Sequence, residues 1–69
     1  MILKVISSDG KHDATATLYG DIVKIHEELR DGDNLELTAT HTSGEERSIV
    51  TETGWAFVMN DDGKTIDRL

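Results

Sequence analysis

Three histidines, two acidic runs of turn residues and a high density of carboxylates are the parts of this sequence that offer chemistry. His12, His26 and His41 are widely spaced, and none stands near a second histidine or a carboxylate at recognised metal-ligand spacing. A zinc site would need them to converge through the fold, and His26 reads instead as the edge of a packed face. Asp31-Gly32-Asp33-Asn34 and Asn60-Asp61-Asp62-Gly63 resemble fragments of calcium loops. Neither has the spaced ligands, central glycine and distant bidentate glutamate of a full loop. Turn chemistry accounts for both. The chain has no cysteine and no Gly-x-Ser-x-Gly, glycine-rich phosphate loop or His-Glu-x-x-His, so no nucleophile, phosphate cradle or metalloprotease signature is present. Neither catalysis nor a metal or cofactor is expected.

The carboxylates are the remaining signal. Asp and Glu number 14 against 7 Lys and Arg, a net charge of -7. Nucleic-acid affinity comes largely from cations that displace counterions, so direct binding to DNA or RNA is disfavoured. Anionic membrane surfaces are disfavoured by the same sign. Basic proteins are the natural partners, because opposite fields steer association. Glu27, Glu28, Asp31 and Asp33 cluster, Glu36 follows just beyond, and Glu45-Glu46 and Asp61-Asp62 add acidic pairs. If they share a face, they present negative charge to a basic cleft as a nucleic-acid backbone does. The plainer alternative is a scattered, solvated surface that serves solubility.

These residues must be positioned by a single domain, residues 1–69, because a chain of 69 residues buries only about 60% of its extended surface and builds one small core. Residues 1–7 and 13–19 read as strands of an N-terminal hairpin joined by the turn residues 8–11. Residues 35–42 and 47–52 read as further strands. Trp55, Phe57 and Met59 alternate with Ala56 and Val58, a central strand apolar on both faces, and residues 60–63 turn it back into a short strand from Thr65 onward.

Residues 21–30 are expected to form the one helix. Ile22, Ile25, His26 and Leu29 fall at i, i+3, i+4 and i+7, with Asp21 as cap and Gly32 at the end. On a helix, Glu27, Glu28, Asp31 and Asp33 would lie at its negative C-terminal end, against a small electrostatic cost. The counter-reading is a strand, because Ile22-Val23-Lys24-Ile25 is β-branched and Tyr19-Gly20-Asp21 offers a turn before it, and it would make the domain an all-β barrel. The helix reading gives the order β-β-α-β-β-β. The expected fold class is therefore α+β, a small antiparallel sheet of five to six strands with one helix packed on one face. The lack of disulfides suits a reducing cytoplasm. Residues 1–6 are too short an apolar run for a signal peptide, and no run approaches the ~20 residues that span a bilayer.

Residues 55–69, running Trp-Ala-Phe-Val-Met-Asn-Asp-Asp-Gly-Lys-Thr-Ile-Asp-Arg-Leu, resemble the C-terminal hairpin of the bacteriophage uracil-DNA glycosylase inhibitor family. That hairpin also begins Trp-Ala, passes through an acidic turn and ends in a basic-apolar strand finishing with Leu. Asp33-Asn34-Leu35-Glu36-Leu37-Thr38-Ala39 is similar to the family's Asp-x-Leu-x-x-Thr-Ala strand, and residues 25–29 stand where the family has an acidic amphipathic helix. The family's Glu-Ser-Ile edge strand and extra N-terminal helix have no counterpart here. The resemblance implies that Glu27 matches a groove-facing carboxylate, with Lys24 where another acid is expected. It also implies that Ile25, Leu29 and Val58 match an apolar pocket for a leucine of the enzyme.

The function expected is thus a small acidic, phage-type inhibitor that mimics DNA and occludes the DNA-binding site of a host protein. Uracil-DNA glycosylase is the target that the resemblance implies. Glu27, Glu28, Asp31, Asp33 and Glu36 would meet the basic cleft, and Ile25 and Leu29 would supply apolar contact. A nucleoid-associated protein, a CRISPR or restriction nuclease, or RNA polymerase suits the same charge logic. The alternative of another class is a structural or regulatory interaction domain, in which an exposed Thr-rich strand face serves self-association. A monomer or small homo-oligomer in the (host) cytoplasm fits either reading.

Overall fold

The computed structural model describes residues 1–8 and 13–69. The expected turn beyond Ser8 and His12 lie outside the described residues. Seven strands follow one another: β1 Ile2–Ser8, β2 Ala14–Tyr19, β3 Ile22–Asp31, β4 Asn34–His41, β5 Glu46–Thr51, β6 Ala56–Met59 and β7 Thr65–Arg68. They form two antiparallel sheets, one ordered β2-β1-β6-β7 and the other β3-β4-β5. The fold is all-β, which overturns the α+β expectation of one sheet covered by a helix. The six expected strands are present, with 55–59 central between β1 and β7 as its two apolar faces require.

The helix expected over residues 21–30 is strand β3. A helix would gather Ile22, Ile25, His26 and Leu29 on one face, whereas the strand divides them. Ile22 and Ile25 lie opposite His41 and Ala39, while His26 and Leu29 lie opposite Thr38 and Glu36. Two register shifts, between Ile22 and Lys24 and between Glu27 and Leu29, let a helix-spaced pattern fit a strand by inserting one residue at each. Beyond it, Asp31 pairs with Asn34 across Gly32-Asp33. Gly32 has φ +61° and Asp33 a negative φ, the II′ pattern favoured in two-residue hairpins. The ladder to β4, which runs from Ile22 to Asp31 through both shifts, outweighs the modest helix preference of Glu27-Glu28-Leu29-Arg30, because intrinsic propensity is a weak prior beside tertiary pairing.

The core lies between the sheets. Leu3 and Val5 of β1 and Ala56 of β6 pack against Ile22 of β3, Leu35, Leu37 and Ala39 of β4, and Ile49 of β5. Strand β1 crosses the second sheet from β3 to β5. At one end Met1 and Ile22 exchange hydrogen bonds, the Ile22 amide donating to the Met1 carbonyl at 2.9 Å and the terminal ammonium to the Ile22 carbonyl at 3.0 Å. At the other end Thr51 and Thr53 both donate their hydroxyls to the Ile6 carbonyl, Thr53 at 2.6 Å. Thr51 is the single buried polar residue among those described, so this contact satisfies what would otherwise be a costly buried group.

The β5–β6 connection is clamped to the β3–β4 turn. Gly54 is buried with φ +72°, and a Cβ there would stand 3.4 Å from the Asp33 backbone. Gly54→Ala is expected to destabilise the fold by about 1–2 kcal/mol through the left-handed backbone alone. Gly20→Ala, with open space and no such φ, is expected to be neutral or slightly stabilising. Urea midpoints of the two variants check the pair.

Candidate functional site

The outer face of the second sheet follows from the inward set. On β4, Leu35, Leu37 and Ala39 are buried, so Glu36, Thr38 and Thr40 point outward. Their β5 partners are Val50, Ser48 and Glu46, and their β3 partners Leu29, His26 and Lys24. Glu28, in the register shift, joins this face, accepting the Thr38 hydroxyl at 2.9 Å and standing 3.7 Å from His26 Nε2. Glu28, Glu36 and Glu46 are thus three carboxylates on one face, with Lys24 and His26 beside them.

The expected site residues divide accordingly. Glu28, Leu29 and Glu36 share the outer face, and Leu29 keeps 48% of its surface exposed. Asp31 and Asp33 lie at the end of the same sheet in the hairpin turn, both exposed. Glu27 pairs opposite Leu37 on the inward side and binds the Arg30 guanidinium at 2.8 Å. Ile25 packs half-buried against the core. Glu27 and Ile25 are therefore separated from Leu29 and Glu36 by the thickness of the strand, because an extended backbone alternates its side chains and a helix does not. What the fold does segregate is charge. Residues 21–54, which hold β3–β5, contain nine of the fourteen carboxylates and three cations, a net of -6, and the rest of the chain has a net of -1.

A cleft of about 420 Å³ opens between the end of β2 and the β4–β5 end of the second sheet, lined by Leu18, Tyr19, Ala39, His41, Ser43 and Arg47 among others. His41 Nδ1 is 2.9 Å from Ser43 Oγ, and His41 Nε2 is 3.9 Å from Asp21 Oδ2. These contacts have the order of a hydrolytic triad. The Ser43 backbone amide, however, donates to the same Nδ1 at 3.0 Å. The single lone pair a general base would use is thereby engaged in bracing the residue 41–45 turn, with the Ser43 hydroxyl accepting from the Glu45 amide at 3.3 Å. The trio is a turn support. Among the described residues no group of three or more His, Asp or Glu side chains could hold a metal ion, and no helix is long and apolar enough to cross a membrane.

Sequence reasoning missed the outer face of the first sheet. Because Leu3, Val5, Ala56 and Val58 point inward, Ile2, Lys4 and Ile6 of β1 and Phe57 and Met59 of β6 point outward. Lys4 lies between Leu18 and Phe57, and Ile6 opposite Ala16. Trp55 stacks on Phe57 with ring centroids 5.8 Å apart, and the Arg68 guanidinium lies 3.7 Å over the indole. The face is apolar with two cations, and no outward residue of β1, β2 or β6 is a carboxylate. The signal was the apolar character of both faces of residues 1–7 and 55–59, which in so thin a molecule leaves one set outside the core.

No family model, curated protein or solved structure matches the chain.

Arg68→Ala is expected to uncover Trp55, moving its fluorescence to longer wavelength, and to destabilise the fold by about 0.5–1 kcal/mol, the size of an exposed cation–π contact. As the sole Trp, it reports this contact without background.

Proposed function

We propose that the chain is a small binding protein that offers its second sheet as a carboxylate-bearing, DNA-like surface to a basic DNA-binding protein of the host, acting by occlusion and without turnover. The observation that carries this reading is the segregation of charge, -6 in residues 21–54 against -1 elsewhere. A carboxylate surface of this kind meets the phosphate-binding groups of a cleft and accelerates encounter. The similarity of residues 55–69 to the uracil-DNA glycosylase inhibitor hairpin makes that enzyme the first target to assay, in a cytoplasmic setting. With β3 a strand, the contact set of this reading is Glu28, Leu29, Glu36 and Glu46, with Asp31 and Asp33 at the sheet end.

The test is uracil excision by a bacterial uracil-DNA glycosylase titrated with the protein. Stoichiometric inhibition is expected, weakening at least tenfold when Glu28, Glu36 and Glu46 are together changed to Lys, and weakening between low and high salt. The control, Asp61→Lys with Asp62→Lys on the β6–β7 turn, is expected to change inhibition less than threefold. Full activity at a large excess of protein would remove this target. Equal loss from both charge reversals would remove the second sheet as the binding surface.

A further inference from the structure

A sheet edge offers unpaired backbone donors and acceptors to any other strand, and proteins blunt such edges with charge, bulges, short length or a covering element. Four strands end the two sheets here. Strand β3 carries Lys24, Glu27, Glu28, Arg30 and two register shifts. Strand β5 bears Glu46 and Arg47 and leads into the Thr51 and Thr53 bonds to β1. Strand β7 has four residues, two of them Asp67 and Arg68, and a register shift against β6. Strand β2 is different. Its six residues, Ala-Thr-Ala-Thr-Leu-Tyr, include no charge, proline or glycine, pair with β1 without a register shift, and are exposed except for the half-buried Tyr19. Among the described strands it is the one unguarded edge.

We infer that the free edge of β2 pairs antiparallel with β2 of a second copy, about a two-fold axis through Ala16. The occupant is identified by what the edge requires. An added strand must place apolar side chains beside Ala14, Ala16 and Leu18 on the outer face, and polar ones beside Thr15 and Thr17 on the other. Strand β2 itself has this pattern. With the axis at Ala16, Ala14 faces Leu18 of the other copy, Thr15 faces Thr17, and Ala16 faces Ala16. Apolar pairs and Thr–Thr pairs of this kind are stabilising across strands. A shift of one residue sets apolar against polar side chains, Ala16 against Thr17, so the face of each residue is specified, and the axis at Ala16 is the placement that pairs all of residues 14–18 like with like. Charge permits the approach, since β2 belongs to the part of the chain with a net of -1. The product is a continuous eight-stranded sheet with the apolar faces around Leu18 joined. A six-residue edge is small beside a standard interface, so the dimer is weak and concentration-dependent.

The chain has no cysteine, which makes the geometry directly testable. Paired residues lie about 4.5–5.5 Å apart between α-carbons, within disulfide reach. Ala14 is offset from its own copy by four residues, roughly 13 Å. Under mild oxidation Ala16→Cys is therefore expected to give a covalent dimer at least tenfold faster than Ala14→Cys. Sedimentation of the unmodified protein, in a series reaching about 1 mM, is expected to show monomer passing to dimer. Ala16→Glu, which sets two carboxylates face to face, is expected to weaken that dimer at least tenfold. A monomer throughout the series, or equal cross-linking of the two cysteine variants, overturns the inference. A dimer that Ala16→Glu leaves unchanged overturns it as well, and assigns self-association to another surface.

Discussion

The whole molecule depends on the passage of β1 across the second sheet. Leu3 and Val5 fill the space above Leu35, Leu37 and Ala39, and each such side chain contributes about 1.5–3 kcal/mol on burial. With so few buried side chains, no single contact is redundant. The crossing is fastened at both ends by backbone groups, through the Met1–Ile22 exchange and the two hydroxyls on the Ile6 carbonyl. These contacts fix the relative position of two sheets that are otherwise joined by short connections, and they determine which side of every strand faces water.

From that constraint the outer faces follow by alternation. Once Leu35, Leu37 and Ala39 are inside, Glu36, Thr38 and Thr40 are outside, and their partners on β3 and β5 are carried with them. Once Leu3 and Val5 are inside, Lys4 and Ile6 are outside. The acidic face and the apolar face are therefore products of the same inward pattern seen from its other side. A slip of one residue in either sheet would exchange core for surface, so the faces are as firmly specified as the core.

Most of the strands were legible locally. Residues 55–59 declare period two through Trp55 to Met59, and Asn60 closes its turn by accepting the amides of Asp62 and Lys64 at 3.0 and 2.9 Å, which is the chemistry its sequence predicts. Residues 21–30 were not legible, because the deciding interaction is the ladder to β4, and no local pattern contains it. The β-branched Ile22-Val23-Lys24-Ile25 supported the strand counter-reading, whereas the spacing of Ile22, Ile25 and Leu29 imitates a helix only because two bulges interrupt the alternation. The same error mixed the candidate site. Glu28, Leu29 and Glu36 do share a face, but Ile25 and Glu27 do not join them. The segregation of carboxylates into residues 21–54 can be counted from the sequence, although its meaning as one sheet against another needs the fold.

A core this small also limits how the protein can act. Every described carboxylate is exposed or half-buried, so each works in a high effective dielectric, where a single ion pair is worth about 0–1 kcal/mol. The Glu27–Arg30 and His26–Glu28 contacts belong to that class. No isolated charge can then give tight or selective binding. Under the proposed reading, selectivity would come from several carboxylates acting in one field, or from apolar area removed from water at the opposite sheet, where Trp55, Phe57 and Leu18 lie around Lys4. Because the two faces belong to different sheets, one can be occupied while the other stays free. The core around Leu3, Val5, Leu35 and Leu37 is all that separates the two outer faces, so a single thin core holds two surfaces of opposite character on one small domain.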